Sequence, residues 1–174
     1  MNIERCFFLP FLLLALLSQR APADPAVGVP DTCPVTRPAD SSFVPPPPHP
    51  AKTPGRFWLG TDALWTSLDE GGIWKGISSA TGTRNKFWWW RKGWRWDDDL
   101  GARGPGLVVA GHRIDGEAPP ARASPATNGS LSTGWAMLVM LELPTWGCWE
   151  IVGSYRGEYV SMVVWLPANA AQRE

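Results

Sequence analysis

The sequence predicts an all-β fold, a single antiparallel sandwich of about seven short strands preceded by an extended proline-rich arm. Three observations predict it. From Arg56 onward, short runs rich in Trp, Val, Ile, Thr and Tyr recur, each bounded by Gly, Pro, Asn or Asp. No run sustains a helical period with start and stop signals. All twelve tryptophans lie between Trp58 and Trp165, and side chains of that size need either a large core or a face built to hold something.

Residues 1–23 read as a cleaved export leader: an apolar run from Phe7 to Leu17, then Ala21, Pro22 and Ala23 in a small-x-small arrangement before Asp24. The run falls well short of the roughly 20 residues a bilayer span requires, and Pro10 interrupts it. Cys6 precedes the run, and no cysteine follows a lipobox-like tripeptide, so lipid anchoring through an N-terminal cysteine is not expected. The expected address is secreted or periplasmic. Residues 24–55 form the arm, where Pro45 to Pro48, Pro50 and Pro54 favour an extended polyproline path and give no apolar periodicity for a core.

The sandwich occupies residues 56–169. Ala63 to Leu68 and Ile73 to Ile77 flank the turn residues Asp69 to Gly72, a hairpin signal. After Thr81 to Asn85 comes the aromatic run 86–96. Gly106 to Asp115 is a strand, and Pro119 and Pro120 mark a connection. Trp135 to Leu143 is short and stopped by Pro144, so strand is preferred over helix. The last hairpin pairs Cys148 to Tyr155 with Tyr159 to Leu166 around Arg156 and Gly157. Period-two alternation puts Trp149, Ile151, Gly153 and Tyr155 on one face and gives Val160, Met162, Val164 and Leu166 a common inward side. Trp149 reads as a core anchor, and Trp165 points the other way, towards solvent or a covering segment.

Composition narrows function. The chain has 16 basic and 16 acidic residues, and the leader removes Arg5, Arg20 and Glu4, leaving one acidic residue in excess. No surplus of cations is available for phosphates, which argues against nucleic acid as a partner. Cys33 and Cys148 remain beyond the leader, and an even pair in an oxidising compartment is expected to be bridged, stapling the arm to the domain.

The stretches Thr32-Cys-Pro-Val-Thr36, Ala63-Leu-Trp-Thr66, Lys86-Phe-x-Trp-Trp-x, Gly111-x-Arg-x-Asp-Gly116 and Pro144-Thr-x-Gly-Cys-Trp-Glu-Ile151 together resemble a group of uncharacterised secreted bacterial proteins. The likeness runs from Cys33 to Leu166, and its most specific part is the Gly147 to Ile151 strand. The resemblance implies an immunoglobulin-like sandwich with an envelope or extracellular address. It implies no catalytic residues. Lys92 to Gly104 depart from the pattern as an insertion.

The aromatic-basic run is the first candidate site. An unbroken strand over 86–96 would align Lys86, Trp88, Trp90, Lys92, Trp94 and Trp96 on one face, with Phe87, Trp89, Arg91 and Arg95 on the other. A bland reading buries Trp88 and Trp90 in the core and Trp89 in a seam. A functional one leaves Trp94 and Trp96, with Arg95 and Lys92, to stack on an envelope glycan or meet another envelope protein. A third lays the segment on a membrane surface. Asp97, Asp98 and Asp99 point in alternate directions on an extended chain and read as a solvated turn rather than a calcium loop.

Catalytic signals are sparse. His112 with Asp115 or Asp62 would be the base of a small hydrolase, and Glu142 with Glu150 a carboxylate pair for glycoside cleavage. No nucleophile motif, metal-ligand spacing or cofactor motif accompanies them. The reading is a non-catalytic binding or structural module without a cofactor.

Overall fold

The computed structural model describes residues 28–38, 43–51, 53–99 and 104–168, so the leader read over residues 1–23 lies outside the described residues. Among these residues there is no helix, and ten strands form two antiparallel sheets. The larger sheet orders β1 (Arg56–Thr61), β2 (Leu64–Asp69), β4 (Gly82–Trp90), β8 (Gly134–Leu143) and β6 (Arg122–Ala123). Onto it are added β3 (Ile77–Ser79), paired with β4, and β7 (Thr127–Leu131), paired with β8. The smaller sheet orders β10 (Glu158–Leu166), β9 (Gly147–Tyr155) and β5 (Val108–Arg113).

The all-β sandwich is as the sequence predicts, but with ten strands rather than about seven. β3, β6 and β7 hold 3, 2 and 5 residues, too few for an alternating pattern to stand out. The first hairpin is corrected. β2 turns back on β1 through Asp62 and Ala63, with Thr61 opposite Leu64 and Arg56 opposite Asp69. Residues 73–77 do not pair with β2. Gly72 instead adopts a left-handed φ of 68° and carries the chain across to the smaller sheet, where its carbonyl accepts the Trp165 N–H and the Trp74 N–H reaches the Trp165 carbonyl. A Cβ on Gly72 would run into Val35. The glycine therefore serves a close passage under the arm and not a hairpin turn.

The main core lies between the sheets. Phe87 and Trp89 of β4 and Met137, Val139, Leu141 and Leu143 of β8 face Trp149, Ile151, Met162 and Val164 of the smaller sheet. The inward faces predicted for the last hairpin are the buried ones. Each such aliphatic or aromatic side chain contributes about 1.5–3 kcal/mol on burial. Thr66, fully buried, is satisfied by donating through Oγ1 to the Trp88 carbonyl at 2.7 Å.

The arm is stapled as expected. Cys33 and Cys148 are bonded, with Cα atoms 5.6 Å apart. Just beyond, the Thr36 N–H donates to the Val163 carbonyl, and Thr36 Oγ1 accepts from the Val163 N–H. With the Gly72 to Trp74 segment, these bonds cover the outer edge of β10, which would otherwise offer unpaired backbone groups. Trp165 and Val163 are half-buried against Cys33 and Val35, the covering segment the alternation required.

Candidate functional site

The segment 86–96 is not one strand. β4 ends at Trp90, and Gly93, with φ of 69°, turns the chain. The ladder expected from an unbroken strand is therefore corrected. Phe87 and Trp89 face the main core, with ring centroids 5.0 Å apart. Trp88 and Trp90 take the outer face of the larger sheet, which reverses the bland assignment of those residues. Beyond the turn, Trp94 folds back into the main core and is only 6% exposed. Its reading as a contact residue is overturned: once the turn breaks the period, a large apolar ring goes where it removes the most surface from water.

The outer aromatic face is closed over by the arm. Trp58, Trp65 and Trp90 form a second buried cluster with Ala136, against which Phe43 and Trp88 pack. The imidazole of His49 sits edge-on among three indoles, with centroids 5.7 Å from Trp58, 5.7 Å from Trp65 and 5.5 Å from Trp90. Trp58 Nε1 donates to the Pro50 carbonyl at 2.9 Å, which fastens this end of the arm. Burial pushes the His49 pKa below its ordinary value, against a smaller raising effect of the Pro46 carbonyl. The imidazole therefore favours its neutral form and packs edge-on among the three indoles.

Three indoles remain on the surface: Trp96, Trp135 and Trp146. Trp96 and Trp135 are 42% and 43% exposed, with centroids 6.1 Å apart and planes tilted by 49°. Trp135 shares the inward parity of Met137 and Val139 on β8, but lies beyond the end of β4, whose ladder stops at Trp89 opposite Met137. It pairs with Ser130 of β7 on one side but has no strand on the β4 side, and Trp96 from the 94–99 loop lies beside its ring. The Trp96 carbonyl accepts from Asn128 Nδ2 at 3.1 Å, which ties that loop to β7. Sequence reasoning singled out Trp96 and assigned Trp135 only to a strand, with no face; its odd-numbered parity with Met137 and Val139 would by itself point inward. Trp146 is a separate case: Arg113 lies 4.9 Å over its ring while donating through Nε to Asp115.

The cations read with this site are engaged locally. Lys92 Nζ meets Asp62 at 2.8 Å, and Arg95 Nε meets Asp97 at 3.0 Å. The three aspartates form a turn that neutralises its neighbours. Asp99 accepts from the Tyr155 hydroxyl and from Arg156, each at 2.9 Å. Burial pulls the Asp99 pKa up, but these two bonds and the Arg156 charge more than offset it, leaving the carboxyl below its usual range. The loop carrying Trp96 is thereby fixed to the β9–β10 turn.

The catalytic alternatives meet unfavourable geometry. His112 Nε2 lies 3.5 Å from Glu150, whose other oxygen accepts from the Ser161 hydroxyl at 2.7 Å. The serine thus contacts the carboxylate and not the imidazole that would activate it. Asp115, proposed as a partner of His112, is engaged by Arg113. Glu142 and Glu150 belong to different sheets, and Glu142 is held by Thr81, Ser79 and Arg122. Among the described residues no three His, Cys, Asp or Glu side chains gather as a metal-binding set.

No family model, curated protein or solved structure matches the chain.

Proposed function

We propose that the protein is an exported, non-catalytic binding or structural module of the cell envelope, and that it contacts glycan through Trp96 and Trp135. The observation that carries this reading is the exposed pair itself, two tilted indoles held at 6.1 Å on a loop and a strand end anchored from both sides. Rigid exposed rings lose little conformational entropy on contact and offer apolar faces to the C–H side of a sugar ring. The Cys33–Cys148 bridge suits an oxidising compartment. The immunoglobulin-like assignment belongs to the same proposal; it is supported by the two antiparallel sheets and by buried Trp149 beside bonded Cys148.

The test is co-sedimentation with insoluble cell-wall glycan, comparing the native protein with the Trp96→Ala, Trp135→Ala double variant. Both side chains are exposed, so the variant keeps its fold. Binding by the native protein and its loss in the variant support the reading; equal binding by the two removes the pair from the site. The membrane alternative predicts instead that the pair is needed for sedimentation with anionic vesicles.

A further inference from the structure

The arm meets the sandwich in two places that are fastened very differently. Near Cys33 it is held by a covalent bond and by hydrogen bonds in both directions between Thr36 and Val163. Residues 43–51, which lie over Trp58, Trp65 and Trp90, make no backbone–backbone hydrogen bond to the larger sheet among the described residues. Trp58 Nε1 donates to the Pro50 carbonyl at 2.9 Å. The rest is contact: Phe43 against Trp65, with centroids 5.6 Å apart, and His49 against all three indoles. A segment held this way opens at lower cost than the strands beneath it.

Closure also leaves polar atoms unanswered. His49 Nδ1 lies 3.3 Å from the Pro46 carbonyl, so Nδ1 carries the proton and Nε2 the lone pair. Nε2 is buried without a hydrogen-bond partner among the described residues, and so are Trp65 Nε1 and Trp90 Nε1. A second proton on the imidazole has to go on Nε2. Phe43 to Ala51 include no other titratable group. On β1 and β2, Arg56 is turned to Ser67, and Asp69 to Lys75. On β4, Arg84 and Lys86 lie on the stretch before Trp88, and past its end Lys92 pairs with Asp62. None of these groups forms an ion pair with His49.

We propose that residues 43–51 form an acid-opened strap: protonation of His49 lifts the segment and uncovers Trp58, Trp65 and Trp90 while the sandwich beneath stays folded. The strap is anchored by Cys33 and Thr36 on one side and by the Thr53–Arg56 bridge on the other, so the lifted segment stays tethered and recloses. The uncovered face presents three indole planes and their N–H donors, Trp58 Nε1 having lost Pro50. The sign follows from burial, which holds the closed imidazole below its ordinary pKa. Closure is at full strength above about pH 6.5, the value of an exposed imidazole, and weakens as pH falls from there towards the closed-state value.

The experiment is hydrogen–deuterium exchange of the indole N–H groups in ¹⁵N-labelled, disulfide-intact protein at about pH 7 and about pH 5, each rate divided by that of free tryptophan at the same pH. Trp65 and Trp90 report the strap, and Trp89 and Trp149, in the main core, report global unfolding. Trp65 and Trp90 are expected to exchange at least about tenfold faster than the core pair at both pH values, and to rise at least about threefold at the lower one. His49→Phe should remove that rise, with protection of Trp89 and Trp149 showing that the variant is folded. Exchange of Trp65 and Trp90 at the rate of the core pair overturns the strap, because they are then uncovered only by global unfolding. Equal exchange at the two pH values overturns the acid trigger. Slower exchange at the lower pH does so too, since the indole faces then hold the imidazolium. A rise that survives in His49→Phe overturns the assignment to His49.

Discussion

Gly153 decides whether Trp89 fits. It sits on the inward face of β9, paired with Val109 on one side and Val160 on the other. A Cβ placed there would lie 2.7 Å from Trp89 Cζ2 and nearer still to Cη2 and Cζ3. Gly153 has no left-handed φ, so alanine is allowed by the backbone. On that ground alone it would stabilise by about 0.4–1 kcal/mol, through a less disordered unfolded chain. The two effects have opposite signs, and the steric one is larger. Trp89 is fully buried, flanked by Phe87, and cannot swing aside into solvent. Overpacking of this kind costs about 1–3 kcal/mol. Gly153→Ala should therefore lower the urea midpoint and reduce Tm by roughly 4–12 °C, taking about 4 °C per kcal/mol for a domain of this size. The decisive measurement is the cycle with Trp89→Phe. Shortening the ring removes the obstacle, so Gly153→Ala should be neutral or stabilising in that background, a coupling above about 1 kcal/mol. If alanine costs the same in the Trp89→Phe background as in the native protein, or stabilises the native protein, the packing explanation is wrong.

Two further outcomes follow from the arm and the charges. Replacing both Cys33 and Cys148 by alanine opens a link across 115 residues and should cost about 4–5 kcal/mol by the loop-entropy estimate. Chemical denaturation measures it, and unchanged stability would show that the arm's other contacts hold it alone. Stability should also fall in two stages on acidification. His49 has a lowered folded pKa, so its contribution is lost as pH drops below the unfolded value of about 6.5. Asp99, Asp115 and Glu142 are held below their usual range, so theirs is present above about pH 4 and lost as pH falls through the folded values. His49→Phe should flatten the first stage of the urea midpoint against pH; an unchanged slope between about pH 7 and 5 refutes the neutral-imidazole account.

Much of the fold was legible because alternation is a local property. The inward faces of β9 and β10 follow from period two and are the faces that are buried. The need to cover Trp165 was readable in the same way, and the even count of cysteines after residue 23 indicated the staple. The arm's second task was not readable. Nothing in a proline-rich stretch signals that Phe43 and His49 will lie on Trp58, Trp65 and Trp90, because that contact depends on where a distant sheet puts its outer face. Gly153 was legible as inward-facing but not as the space for Trp89, which comes from the opposite sheet.

The sequence by itself determined the class, the inward positions of the last hairpin and the pairing of Cys33 with Cys148, since these depend on neighbours along the chain and on residue counts. Only the tertiary structure decided which tryptophans are free. Gly93 breaks the strand period between Trp90 and Trp94, so parity carries no information across it. Burial of Trp94, exposure of Trp135 past the end of β4, and the short β2–β4 ladder are set by how the strands end against one another. Strand ends are fixed by the whole sandwich, and no local pattern encodes them.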